Sequence, residues 1–313
     1  MNGVLVVNKP KEFTSFDVVA LVRKLSGQRK IGHTGTLDPN ATGVLPLLLG
    51  NATKAQDIII NHDKEYEAEF RLGFTSDTLD VWGNVRECSD KKISREDIEK
   101  IIPDFTGKIQ QIPPMFSAVQ KDGKRLYDLA RQGIEVEREK RAVTIERLEL
   151  LGFDEKTQTG RLSVSCSKGT YIRTLIDDIG EKLGTYAVMT KLRRTLACGY
   201  GIDEAIPLDE LRALKESQGI KAVQKLIKPT ETVFAPYRAV YVSAAQAKRF
   251  KNGGGLDAGR TVLAKMNKQN GEIFRVYERD GGFLGLGKVN LEKAELGFLK
   301  LFCNRERRVK SEE

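Results

Sequence analysis

Three observations predict an α+β chain that ends in a small, basic, β-rich module. Residues 66–72 alternate, with Tyr66, Ala68, Phe70 and Leu72 on one side and Glu67, Glu69 and Arg71 on the other. That period of two gives a strand with one buried face. Residues 170–183 carry Ile172, Leu175, Ile176, Ile179 and Leu183 at three- and four-residue spacing, the apolar stripe of a helix packed on a core. From Pro236 onward, 16 basic residues stand against 9 acidic ones, and short apolar runs are separated by glycine-rich turns. The preceding 235 residues hold 36 against 34, so most of the net charge of +9 sits in the tail. A basic module on a nearly neutral body suits a polyanionic partner, nucleic acid above all.

The elements follow in order. Residues 3–7 are a short apolar run ended by Asn8-Lys9-Pro10. Thr14 or Ser15 caps a helix reaching about Leu25, with Asp17 in its first turn and Gly27 beyond its end. Residues 44–49 are too short and too apolar for a surface helix and predict a buried strand or extended segment. Residues 75–83 form a polar loop, and Ser94 caps a helix to about Ile102. Residues 117–141 group Lys121, Lys124, Arg125 and Arg131 around Gly123, an insertion that touches a ligand or a helix-loop on the surface. Strands are expected over 143–150 and 162–166, and helix over most of 208–228, after Pro207. Past the Pro229 to Pro236 boundary, a helix over 244–250 joins strands over 261–266, 273–277, 283–289 and 298–303.

Composition sets further bounds. The 313 residues suffice for one large domain and a small one. No apolar run approaches the roughly 18 residues that span a bilayer, and residues 1–10 lack a secretory pattern, which points to the cytoplasm. Cys88, Cys166, Cys198 and Cys303 are dispersed and predict reduced structural thiols. His33 and His62 are too few for a multi-histidine metal centre.

The most informative segment is Gly32-His33-Thr34-Gly35-Thr36-Leu37-Asp38-Pro39, closed by Asn40-Ala41-Thr42-Gly43. It places one carboxylate in a glycine-rich loop, and Pro39 biases Asp38 away from helix. The segment is either an ordinary Asp-Pro turn or a loop that fixes one acid in a working pose. Arg173, on the first turn of an otherwise apolar helix, is exposed or aimed at a partner carboxylate, and a cation beside Asp38 favours the ionised form. Tyr66, at the start of its strand, is able to stack on a base. A nucleotide phosphate loop, a G-x-S-x-G elbow and an H-E-x-x-H helix are all missing, which leaves carboxylate chemistry without a cofactor.

These residues carry a resemblance. The chain resembles the bacterial TruB-type tRNA pseudouridine-55 synthases through an ordered set of motifs: Asn8-Lys9-Pro10, the Asp38 loop, Gly43-Val44-Leu45-Pro46, Lys64-Glu65-Tyr66 and Leu72-Gly73 with Asp80. Pro113-Pro114-Met115, Arg125-Leu126-Tyr127 and Gly169-Thr170-Tyr171-Ile172-Arg173 continue it. After Arg193-Arg194-Thr195 the family pattern expects Gly, one residue and an aromatic, whereas this chain has Gly199-Tyr200-Gly201. The resemblance implies a pseudouridine synthase fold, a large mixed and mostly antiparallel sheet flanked by helices, over residues 1–232. It also implies a small barrel-like PUA domain over 236–305. Asp38 would be the catalytic carboxylate, attacking C1′ or removing a C2′ proton, without metal or cofactor. Tyr66 would stack on the uracil and Arg173 would pair with Asp38. His33 would fill the space left by the flipped base, and Leu192 would wall it. Lys9 would pack against the loop, and Asp80 would contact RNA. The implied partner is tRNA, gripped at the T arm and acceptor side by a monomer with no obligate protein partner and no membrane. A non-catalytic tRNA-binding or RNA-folding protein on the same scaffold is the alternative, and a guide-RNA-dependent synthase a third reading.

Overall fold

The computed structural model describes residues 1–59 and 63–303, so His62 lies outside the described residues. Their organising feature is a ten-stranded sheet. Its main path runs Ile206–Pro207, Gly3–Lys9, Thr42–Leu49, Ala187–Ala197, Lys64–Leu72, Thr159–Cys166, Arg141–Asp154 and Gly107–Gln111. Ile31–His33 pairs with Thr42–Leu49, and Tyr200–Gly201 with Ala187–Ala197. Neighbours are antiparallel except at two seams, Gly3–Lys9 beside Ile206–Pro207 and Thr42–Leu49 beside Ala187–Ala197.

The second seam matters most. It sets Arg193 opposite Thr42 and Arg194 opposite Gly43, at the end of the Asp38 loop. Gly43 has φ 107°, and a Cβ there would run into the Arg194 backbone, so only glycine lets the strands meet.

Local sequence explains the helices that flank this sheet. The Ser15–Ser26 helix starts with a reciprocal capping box between Thr14 and Asp17 and stops at Gly27 in the left-handed region. Arg95–Ile101 starts with the same device, built from Ser94 and Asp97. Ile172–Lys182 buries Ile172, Leu175, Ile176 and Ile179 against the sheet, and these pack in one apolar cluster with Leu37, Tyr66 and Leu192. The helical stretch expected over 208–228 is broken into Leu208–Gln218 and Ile220–Lys225, because Gly219 takes φ 74°.

The basic tail forms a separate five-stranded sheet in the order Arg238–Val242, Ile273–Glu278, Phe283–Asn290, Glu295–Leu301, Leu256–Asp257, with helix Ala244–Lys251 beside it. The strand expected over 261–266 is instead a short 3₁₀ turn, Val262–Lys265, because the Thr261 hydroxyl accepts from the Leu263 N–H and offers the backbone a local alternative to a ladder. The last strand begins at Glu295 rather than at 298, and Arg238–Val242 is a strand that the sequence reading omitted. Leu286 and Phe302 of this module share an apolar cluster with Val4, Val44 and Phe234 of the body. The two sheets are therefore joined through a common core.

Candidate active site

Asp38 sits on the loop between Ile31–His33 and Thr42–Leu49, whose ends are held at strand positions: the His33 backbone pairs with Leu47, and the Thr34 N–H donates to the Pro46 carbonyl at 3.2 Å. Ala41 donates its N–H to the Asp38 carbonyl at 3.1 Å, so an Asp-Pro turn is present. The turn and the fixed acid are the same object. The Asp38 side chain is 41 % exposed, while Arg173, whose Nε lies 3.1 Å from Asp38 Oδ2, has a side chain only 6 % exposed.

Arg173 is itself fixed. Its Nη1 donates to the Thr78 carbonyl at 2.9 Å and its Nη2 to the Phe116 carbonyl at 3.0 Å. Asp80 Oδ2 stands 3.9 Å from Arg173 Nε. The sequence reading gave Asp80 to RNA; the structure buries it and turns its carboxylate toward Arg173, the Thr78 hydroxyl at 2.6 Å and the Trp82 N–H at 3.1 Å. Burial raises the Asp80 pKa, against the Thr78 hydrogen bond and the Arg173 charge.

Three further supports hold the loop from below. Lys9 is fully buried and donates its ammonium to the carbonyls of Pro10 at 2.8 Å, Phe13 at 2.5 Å and Pro39 at 2.9 Å. Burial brings its pKa down to about 8, with the Asp38 charge opposing. Ser15 Oγ accepts from the Leu37 N–H at 2.9 Å. Arg194, also fully buried, donates Nε to the Val44 carbonyl at 2.7 Å, Nη1 to Thr36 at 3.3 Å and Nη2 to Gly35 at 3.2 Å. The sequence reading named Arg194 only within a motif and Ser15 only as a possible helix cap, and gave neither a role at the site. In sequence Arg194 stands between Arg193 and Thr195 and reads as an exposed position; only tertiary placement buries it and shows which carbonyls it serves.

Tyr66 lies directly opposite Arg194 across adjacent strands and is buried, as is Leu192, opposite Ala68. Burial raises the Tyr66 pKa. His33 is half-buried; burial and then the Arg194 charge lower its pKa and hold it neutral. Lys64, half-buried, is lowered by the same two causes. The expected residues Lys9, His33, Asp38, Tyr66, Asp80, Arg173 and Leu192 are thus drawn together, and cations crowd a loop that exposes one carboxylate. Such a site favours a polyanion that presents a reacting centre to a fixed acid. Among the described residues, no group of three or more His, Cys, Asp or Glu could hold a metal ion. In the 117–141 segment, Lys121, Lys124, Arg125 and Arg131 are all exposed on a hairpin turned at Asp122-Gly123 and the short helix after it.

Further along the Arg173 helix, burial and the neighbouring Glu181 and Asp178 push Asp177 up to about 7. A folded-state pKa above the unfolded one stabilises the fold fully below about pH 4 and is lost as pH rises through about 7. Asp177→Asn should therefore gain on the wild type in stability between pH 4 and pH 8, by roughly 1 kcal/mol after allowing for its partial exposure, read as a rise in relative melting temperature. A pH-independent difference between the two melting curves would show that Asp177 is not the titrating group.

Comparison with known proteins follows the same outline. Residues 23–172 match the TruB family pseudouridylate synthase N-terminal domain, residues 173–235 the tRNA pseudouridylate synthase B C-terminal domain, and residues 239–293 the pseudouridine synthase II TruB C-terminal model. The chain is 43 % identical over 290 residues to tRNA pseudouridine synthase B of Pseudomonas fluorescens, covering 93 % of this chain and 92 % of that protein. It is 44 % identical over 293 residues to tRNA pseudouridine synthase B of Clostridium tetani, covering 93 % and 97 %. In three dimensions it superposes on a chain of a solved Cbf5-Nop10-Gar1 complex with TM-score 0.74 and 26 % identity, covering 97 % of this chain and 85 % of that one. With these matches running almost from end to end, the chain belongs to the TruB family of pseudouridylate synthases.

Proposed function

We propose that this enzyme converts uridine 55 in the T loop of tRNA to pseudouridine, with Asp38 as its catalytic carboxylate. The observation that carries the reading is the solvent-facing Asp38 carboxylate paired at 3.1 Å with the buried Arg173 guanidinium, on a loop gripped by Lys9, Ser15 and Arg194. The reaction breaks N1–C1′, turns the uracil and forms C5–C1′. The C5 proton leaves and N1 gains one, so substrate and product are isomers and no redox partner is needed. Asp38 serves either by attacking C1′ or by taking the C2′ proton.

The surrounding roles follow from placement. The target base must leave its stack, at a cost of a few kcal/mol. In this reading His33, kept neutral, fills the vacated space and Leu192 walls the base. Tyr66 offers its ring to the uracil; its raised pKa is the wrong direction for a resting general base. Lys9 holds the loop through Pro39, and Asp80 acts through Arg173 rather than on RNA. Residues 1–232 form the catalytic part and 236–305 a PUA-like part that grips the acceptor side through phosphates, residues 304–305 lying outside the described structure. In this reading the enzyme works in the cytoplasm, where its tRNA substrate is, and acts as a monomer.

The test is incubation of the purified chain with an unmodified tRNA transcript, adding no metal, nucleotide, protein or guide RNA, followed by pseudouridine mapping. One new pseudouridine in the T loop is expected. Tight binding without it would favour the RNA-binding or guide-dependent reading.

A further inference from the structure

The loop that carries Asp80 into the site also carries the chain's single tryptophan out of it. Trp82 is 38 % exposed, with Val81 and Val85 also exposed beside it in sequence. Three exposed apolar side chains within five residues leave this polar loop open to a contact, and the loop is rigidly built. The Val81 N–H donates to the Met189 carbonyl at 3.0 Å, and the Met189 N–H to the Leu79 carbonyl at 3.1 Å, so the segment is zipped onto the Ala187–Ala197 strand. Asp77 closes the loop by accepting from both the backbone N–H and the side-chain amide of Asn84, each at 2.8 Å. Gly83 lies so close to Asp77, Thr78 and Ser76 that a Cβ would collide with all three side chains. Finally, the backbone N–H of Trp82 is held by the same Asp80 carboxylate that faces Arg173, and Arg173 is paired with Asp38.

We propose that Trp82 is a base-stacking contact, on which an unpaired nucleobase of the substrate RNA rests beside the Asp38 site. The assignment rests on the RNA reading above. Three features favour a base as the occupant. The backbone of Trp82 is held by the Asp80 carboxylate, which faces the guanidinium paired with Asp38, so the residue is mounted on the same group of contacts that fixes the acid. An indole face accepts any base. The ring's mounting is fixed before binding, so little ordering is required when the RNA arrives.

Because Trp82 is the only tryptophan, its emission reports on this position without a label. Three measurements on the full chain test the assignment: acrylamide quenching of tryptophan emission with and without saturating tRNA transcript, and filter binding of tRNA by the Trp82→Ala and Trp82→Phe variants. Expected results are a lower quenching constant in the presence of tRNA, a Kd raised about 5- to 100-fold in Trp82→Ala, and binding by Trp82→Phe within about threefold of wild type, since a phenyl face still stacks. Unchanged acrylamide access at saturating tRNA would overturn the proposal, and that readout needs no variant to fold. Wild-type affinity in Trp82→Ala would overturn it as well. So would protection of the indole by self-association, seen as a concentration-dependent dimer without RNA. Failure of the wild-type chain to retain tRNA on the filter would instead overturn the RNA reading, and this assignment with it.

Discussion

Asp38→Asn should bind tRNA within about threefold of wild type while losing single-turnover pseudouridine formation by about 10⁴-fold or more, the scale on which removing one member of a catalytic unit acts. The substitution keeps the shape of the side chain and removes its charge. The fold tolerates it because Arg173 does not depend on Asp38 for its place: it donates to the Thr78 and Phe116 carbonyls and faces Asp80. A guanidinium that loses one partner of four stays satisfied, so the uncompensated-charge penalty of a broken buried pair is largely avoided.

Asp38→Glu sharpens the same experiment. The loop is clamped by Lys9 through Pro39 and by Ser15 through Leu37, so an added methylene displaces the carboxylate instead of being absorbed by the backbone. A misplacement of about 1 Å costs on the order of 10²-fold in such sites. The ordering wild type, then Glu, then Asn is the expected result. Turnover within tenfold of wild type for Asn would remove Asp38 from the chemistry.

Much of this site was legible in the sequence, and the exceptions have physical causes. The Asp38 loop declared itself because glycines and Pro39 restrict φ and ψ locally. The Ser15–Ser26 helix declared itself because its stop and start signals, Thr14, Asp17 and Gly27, are all local. Arg173 stood out as a cation on an apolar stripe, although the stripe says nothing of its partner.

The Ala187–Ala197 strand was missed although it carries Leu192 and lies at the centre of the sheet. Two register shifts, between Met189 and Lys191 and between Arg194 and Leu196, break its period of two, and a buried Arg194 reads as an exposed position. The burial of Asp80 was hidden for a related reason. A carboxylate in a polar loop looks solvated until the tertiary fold supplies a buried guanidinium to face it.

Arg194 supplies the second large effect, because its guanidinium is a fork driven through the parallel seam. One prong reaches the Val44 carbonyl and the other two the carbonyls of Thr36 and Gly35, which ties the start of the Asp38 loop to the strand that follows it. Arg194→Met would leave those acceptors without a donor in a buried place, at about 1–3 kcal/mol each, offset in part by relief from burying a charge. A melting temperature lower by several degrees is expected, together with a kcat lower by about 10²-fold as the loop loosens, and little change in KM. Arg194→Lys should not rescue kcat, since one ammonium cannot span carbonyls on two sides of the seam. Gly43→Ala should imitate the loss from the other side, because its Cβ would push the Arg194 backbone out of register. A simple filler of the core would behave differently: Met would then retain kcat at temperatures well below its melting point. The split between kcat and KM, measured under those conditions, decides whether Arg194 positions the acid or only packs the seam.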